Sequence, residues 1–137
     1  MSRPVSDDLQ KLREILGRAM VIVLEHGLPS VMVGASVPEG QPEFPEVVDF
    51  IESELRVEDA IFRLTRERVV LFIADCDARG AQDVMKRILI GYCERSSRLH
   101  CPSVTLSYFE VGPRTGALTV RDVLRALFVP ELAASSC

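Results

Sequence analysis

Apolar residues recur every three or four positions at the start of the chain, through Leu9, Leu12, Leu16, Ala19, Val23 and Leu24. That spacing predicts an amphipathic first helix. Ser6 with Asp7 and Asp8 offers an N-cap and an acidic first turn, and Gly27 a stop. Beyond Pro29 the period changes: Val31, Met32, Val33, Gly34, Ala35 and Val37 form a short apolar run, too brief for a buried helix and bounded by prolines, which reads as a central strand. Pro38, Pro42 and Pro45 exclude a ladder or helix from the next loop, and Pro45 suits the first position of a second helix carrying Val47, Val48, Ile51 and Leu55. Residues 60–64 and 69–74 are apolar runs around a polar Thr65-Arg66-Glu67-Arg68, the pattern of a β-hairpin. Asp75-Cys76-Asp77 caps a third helix through Ala81, Val84, Met85, Ile88 and Tyr92. Residues 104–111 alternate as a strand, and Thr119 caps a last helix with Val123, Leu124 and Leu127. The order helix, strand, helix, hairpin, helix, strand, helix predicts one α/β (α+β) domain over residues 1–137, with a mixed central sheet flanked by helices. Residues 1–5 and 130–137 are expected to be frayed tails.

Composition narrows the function classes. With 47% hydrophobic residues in 137, the chain has the material for one core. Sixteen Lys and Arg against 20 Asp and Glu leave a net charge of −4, so no overall positive field favours a nucleic acid partner. The apolar stretch at 19–24 meets Glu25 and His26 well before it reaches membrane-spanning length, and the polar N-terminus lacks a signal-peptide pattern. A cytoplasmic protein away from membranes is the expectation. Cys76, Cys93, Cys101 and Cys137 form no Cys-x-x-Cys pair, so ordinary reduced thiols are expected. His26 and His100 have no partner at ligand spacing, and no metal or other cofactor is called for.

Three short blocks carry a resemblance. Leu24-Glu-His-Gly-Leu-Pro29 precedes the first strand, Leu55-Arg-Val-Glu-Asp-Ala-Ile-Phe-Arg-Leu64 precedes the hairpin tip, and Val104-Thr-Leu-Ser107 precedes a final Ala126-Leu-Phe128 helix. In this order they resemble successive segments of GGDEF (diguanylate cyclase) domains, which join two GTP molecules into cyclic di-GMP as a dimer, using divalent cations held by acidic residues. The resemblance also marks what is missing. Aligned on Arg63-Leu64, the Gly-Gly-Asp-Glu-Phe signature falls on Thr65, Arg66, Glu67, Arg68 and Val69. The metal-binding aspartate of the first strand falls on Ser36, and the second aspartate on Pro38. Metal-assisted phosphoryl transfer needs carboxylate oxygens on the cation and close backbone approach to the nucleotide. Neither Ser36 nor Pro38 supplies a carboxylate, and Arg68 introduces a cation. Glu39, Glu43 and Glu67 remain as carboxylates in this part of the chain. No catalytic residue is assigned.

The family's inhibitory site, which binds cyclic di-GMP, is an Arg-x-x-Asp five residues ahead of the signature, with a further arginine on the helix after the hairpin. Arg56-Val57-Glu58-Asp59 stands at that distance from Thr65, and Arg87 falls at the further arginine. Guanidinium groups grip phosphate or stack on guanine, and a carboxylate accepts from guanine N–H donors. The alternative for these residues is solvated helix cations and a turn-capping carboxylate. Arg63, Arg66 and Arg68, with Arg56, form a basic patch near the hairpin that suits a phosphate or an acidic partner, or is simply a solvated tip. Three functions follow: a non-catalytic module that recognises a protein partner or itself, a cyclic di-GMP receptor through Arg56, Asp59 and Arg87, and, third, an active nucleotide cyclase. The apolar run Met20 to Val23 bears on the first, since it is wider than one stripe and fits either full burial or a homodimer.

Overall fold

Each helix has a local closing interaction at one end at least. The structure, a computed structural model, describes residues 4–38, 40–96, 103–116 and 118–128. Helix α1 spans Pro4–His26 and ends at Gly27, whose φ of 69° lets its N–H return to the Val23 carbonyl. It begins before Ser6, so Ser6 is no cap; proline is well suited to a first helical position because the N–H it lacks would be unpaired there anyway. Strand β1 is Ser30–Ser36, helix α2 Phe44–Glu54, strand β2 Ala60–Arg63 and strand β3 Arg68–Ile73. Helix α3 is Ala78–Ser96, strand β4 Thr105–Val111 and helix α4 Val120–Phe128. The α3 cap is Asp77, whose Oδ1 accepts the Gly80 N–H at 2.8 Å. At α4 the Thr119 hydroxyl accepts from Asp122 N–H while the Asp122 carboxylate accepts from Thr119 N–H, a reciprocal cap. Proline at position 45 is the second rather than the first residue of α2.

The strands form one sheet in the order β2-β3-β1-β4, and all three ladders are antiparallel. The two helical crossovers, β1-α2-β2 and β3-α3-β4, each join strands that run the same way but are separated by another strand. The sheet is therefore antiparallel throughout the described residues, where a mixed sheet was expected, because each crossover skips one strand. Arg68 belongs to β3, which shortens the expected hairpin tip to Thr65, Arg66 and Glu67; the Arg68 carbonyl closes it by accepting from Leu64 and Thr65 N–H.

β1 is central and buried on both faces, which is why it reads as an unbroken apolar run. Val31, Val33 and Ala35 face α2 and α3, packing with Val47, Ile51 and Met85. Met32 faces α1 and α4, packing with Leu12, Leu16 and Leu127. Each of the valine, leucine, isoleucine and methionine side chains among them contributes about 1.5–3 kcal/mol on full burial. Gly34 is the tight point: a Cβ there would lie 2.8 Å from Leu127 Cβ and 3.2 Å from the Phe128 ring. Not all of the wide apolar stretch of α1 is buried. Val23 is, while Val21, Ile22 and Leu24 are exposed, Leu24 by 72%. Cys76 is a free thiol and Cys93 is disulfide-bonded, which corrects the expectation of reduced thiols at Cys93. A bridge depends on where folding brings a second sulfur, which sequence spacing does not report. Of the tails expected to fray, Pro4 and Val5 lie in α1, and residues 1–3 and 130–137 lie outside the described residues, as do Glu39 and His100.

Candidate functional site

The turn between α2 and β2 is built around one carboxylate. Asp59 N–H donates to the Arg56 carbonyl at 3.0 Å, closing the turn, and the Asp59 side chain folds back over it. Its Oδ2 accepts from Arg56 N–H at 3.1 Å and Arg56 Nε at 3.2 Å. Its Oδ1 accepts from Arg56 Nη2 at 3.2 Å and from Ala74 N–H at 2.9 Å, tying the turn to the end of β3. Arg56 Nη2 also donates to the Ala74 carbonyl at 2.6 Å. The pair is unequal in exposure: the Asp59 side chain is 3% accessible and that of Arg56 51%. A forked, two-point contact of this kind fixes the plane of the guanidinium. It also raises the Arg56 pKa, chiefly through the hydrogen bond to Asp59, so the cation is permanent.

Arg56 and Asp59 share a cleft of about 240 Å³ with Arg87, floored by Phe50, Ile88 and Gly91. Residues far apart in the chain, one pair on the α2–β2 turn and one arginine on α3, thus meet on one face. Asp59 does cap its turn as well; the capping and cleft-lining readings of this residue coexist. On the other side of the turn, burial pushes the Cys76 thiol up to about 11, against the opposing pull of Arg56.

The positions aligned with the catalytic signature lie elsewhere and are divided. Ser36 pairs with Arg68 across the β1–β3 ladder and with Thr105 across β1–β4. Ser36, Pro38 and Arg68 line a cleft of about 260 Å³ with Ser107 and Phe128, and the Arg68 guanidinium carbon lies 5.5 Å from the centre of the Phe128 ring. Thr65 and Arg66 line a different, mainly apolar cleft of about 370 Å³ with Phe44, Pro45 and Val48. Glu67 is held in the tip, its N–H donating to Thr65 Oγ1 and its carbonyl accepting from Val37 N–H. Arg63 reaches Asp49 at 2.8 Å and Glu52 at 3.0 Å, which removes it from the basic patch as a free charge. Among the described residues no three His, Cys, Asp or Glu side chains gather where a metal would sit.

Four residues of the Arg56–Arg87 region went unnoticed in the sequence. Phe50 and Glu54 share a face of α2, and Arg87, Gly91 and Arg95 a face of α3, each at a spacing of four. The Arg95 guanidinium carbon lies 5.8 Å from the centre of the Phe50 ring.

No protein-family model and no curated protein matches the chain. Solved structures do. A PelD fragment from Pseudomonas aeruginosa in complex with c-di-GMP aligns with a TM-score of 0.67 and 22% identity, over 88% of this chain and 44% of that one. The GGDEF domain of DgcB from Caulobacter crescentus, also in complex with c-di-GMP, gives 0.65 at 17% identity, over 93% and 84%. This chain has the fold of a GGDEF domain. The diguanylate cyclase SiaD from Pseudomonas aeruginosa, in complex with its activator SiaC, gives 0.64 at 22% identity, over 93% and 54%. At such identities the likeness establishes the GGDEF fold, and the chain spans less than half the length of the PelD fragment. No helix among the described residues is long and apolar enough to cross a membrane.

Proposed function

We propose that this GGDEF-fold chain is a non-catalytic regulatory module that binds cyclic di-GMP in the cleft of Arg56, Asp59 and Arg87. The observation that carries the reading is the meeting of Arg56 and Arg87 on one face, with Arg56 clamped by a buried carboxylate. A fixed guanidinium loses little rotamer freedom when a phosphate arrives. Asp59 acts by holding Arg56. PelD and DgcB, which share the fold, have each been crystallised with c-di-GMP.

Catalysis is disfavoured by the other cleft. Ser36 and Pro38 offer no carboxylate to a divalent cation, and Arg68 repels one from the same cleft. The reading puts the module in the cytoplasm, where cyclic dinucleotides are made from GTP.

A second reading, recognition of a protein partner or a second copy, is favoured by Val21, Ile22 and Leu24 standing exposed on α1. SiaD supplies a GGDEF-fold precedent for a protein partner.

Calorimetric titration separates these. Cyclic di-GMP should bind, and GTP with magnesium should yield no cyclic product. Arg56→Ala should weaken cyclic di-GMP about tenfold to a hundredfold, the equivalent of roughly 1.5–3 kcal/mol for a charge-assisted contact. Absence of heat with the unmodified chain would reject the receptor reading and leave the partner reading. Cyclic di-GMP formed from GTP would reject both.

A further inference from the structure

The cleft of Arg56 and Arg87 continues into a second depression of about 500 Å³, the two sharing Phe50, Glu54, Arg87 and Gly91. Asp83, Lys86, Ile90, Glu94 and Arg95 border the outer part. A bis-guanylate ligand needs more than phosphate contacts: guanine presents N1 and N2 donors on its pairing edge and two flat faces. In this chain the obvious acceptor is already taken. Asp59 is buried, and its two oxygens receive the Arg56 backbone and side chain and the Ala74 N–H. Reading a base with Asp59 would mean dismantling the turn.

We propose that Glu54, Phe50, Gly91 and Arg95 form a guanine subsite beside the phosphate-binding arginines, with Glu54 in the role of acceptor. The proposal rests on the cyclic di-GMP reading above. Glu54 ends α2 exposed at the junction of the two depressions, and no ion pair holds it among the described residues. A carboxylate there receives both guanine donors, whereas adenine lacks that pair. The stacking surface comes from the helices. Arg95 stands over Phe50, and Tyr92 meets the Phe50 ring edge-on with centroids 5.5 Å apart, fixing its orientation. Bases stack on arginine planes and aromatic rings alike.

Gly91 completes the surface. A Cβ at this position would lie 3.8 Å from Phe50 Cζ, an ordinary contact, so packing within the protein does not require glycine. Glycine inside a helix is otherwise a cost. A bare backbone leaves the floor between Arg87 and Arg95 flat. The outer depression carries Asp83 and Glu94 beside Lys86 and Arg95, so its charges balance and the case for the base rests on Glu54 and the Phe50–Arg95 stack.

The test is titration of the full chain with cyclic di-GMP and, separately, cyclic di-AMP. The unmodified chain should prefer cyclic di-GMP by about tenfold or more. Glu54→Gln should weaken cyclic di-GMP about tenfold while leaving cyclic di-AMP nearly unchanged, so that the preference collapses. Arg95→Ala should weaken both nucleotides by a similar, smaller factor, since stacking does not distinguish purines. If Glu54→Gln keeps the preference while Arg56→Ala abolishes binding, the subsite is overturned and the cyclic di-GMP reading stands. If neither nucleotide binds the unmodified chain, both are overturned.

Discussion

Two clefts on this domain have taken opposite courses. In the one at the end of β1, Ser36 and Pro38 leave the strand without carboxylates, Arg68 stacks on Phe128, and α4 closes onto Gly34. In the one between the α2–β2 turn and α3, a buried carboxylate holds an arginine in a fixed plane, and a second arginine faces it. On the proposed reading, catalysis and binding are separable on this fold, because chemistry and recognition would use different elements of it. The two clefts are of similar size, about 260 and 240 Å³, and differ in what lines them: no carboxylate in the first, a clamped arginine in the second.

The largest expected effect breaks the first side of the comparison. Gly34→Ala places a methyl group against the Cβ of Leu127, which cannot rotate away, and should lower unfolding free energy by about 2–3 kcal/mol in urea titration. Full stability in that variant would mean that α4 does not pack against β1 at Gly34.

Asp59→Ala comes next. It strands the Arg56 and Ala74 N–H groups and frees the guanidinium, so about 2 kcal/mol of stability should be lost. Cyclic di-GMP affinity should fall along with it. Gly91→Ala sharpens the contrast because its two effects have opposite signs. Stability should rise by about 0.5–1 kcal/mol through helix propensity, while cyclic di-GMP affinity falls through the added methyl group. A variant that is more stable and binds equally well would remove Gly91 from the subsite.

The smallest effect is a pH dependence. Because burial raises the folded-state pKa of Cys76 to about 11, the neutral thiol is the form the fold favours. Its contribution is complete below the unfolded thiol pKa of about 8.5 and declines as pH rises from there through about 11. Alkylation of Cys76 should accordingly be slow at neutral pH in the folded chain and become fast on unfolding. Rapid labelling of folded protein at pH 7 would show that the turn opens.

How legible all this was depends on the range of the interaction. The eight elements could be read because their signals are local: the period of α1 and its Gly27 stop, the unbroken run of β1, the Thr119 and Asp77 caps. Boundaries moved by a residue or two where a neighbour decided them, as when β1 gained Ser30 through pairing with Val111. Arg56, Asp59 and Arg87 could be found because the resemblance supplied their register. What Asp59 does in the turn could not, since three of its four donors come from folding the Arg56 side chain back and from the end of β3. Glu54, Phe50, Gly91 and Arg95 carry only a spacing of four, which many solvated helix faces share. Their meaning depends on α2 and α3 lying side by side. The exposed Val21, Ile22 and Leu24 look the same in sequence as the buried Ala19 and Val23 beside them.

The central claim is that ligand enters one cleft and not the other, and backbone amide chemical-shift mapping tests it in a single experiment. With cyclic di-GMP added, the account predicts shifts concentrated at 54–59, 74 and 87–95, and little change at 36, 37 and 65–68. With GTP and magnesium it predicts little change at either set. Shifts at Ser36, Thr65 and Arg68 on adding GTP and magnesium, with the Arg56 and Arg87 region silent toward cyclic di-GMP, would contradict it.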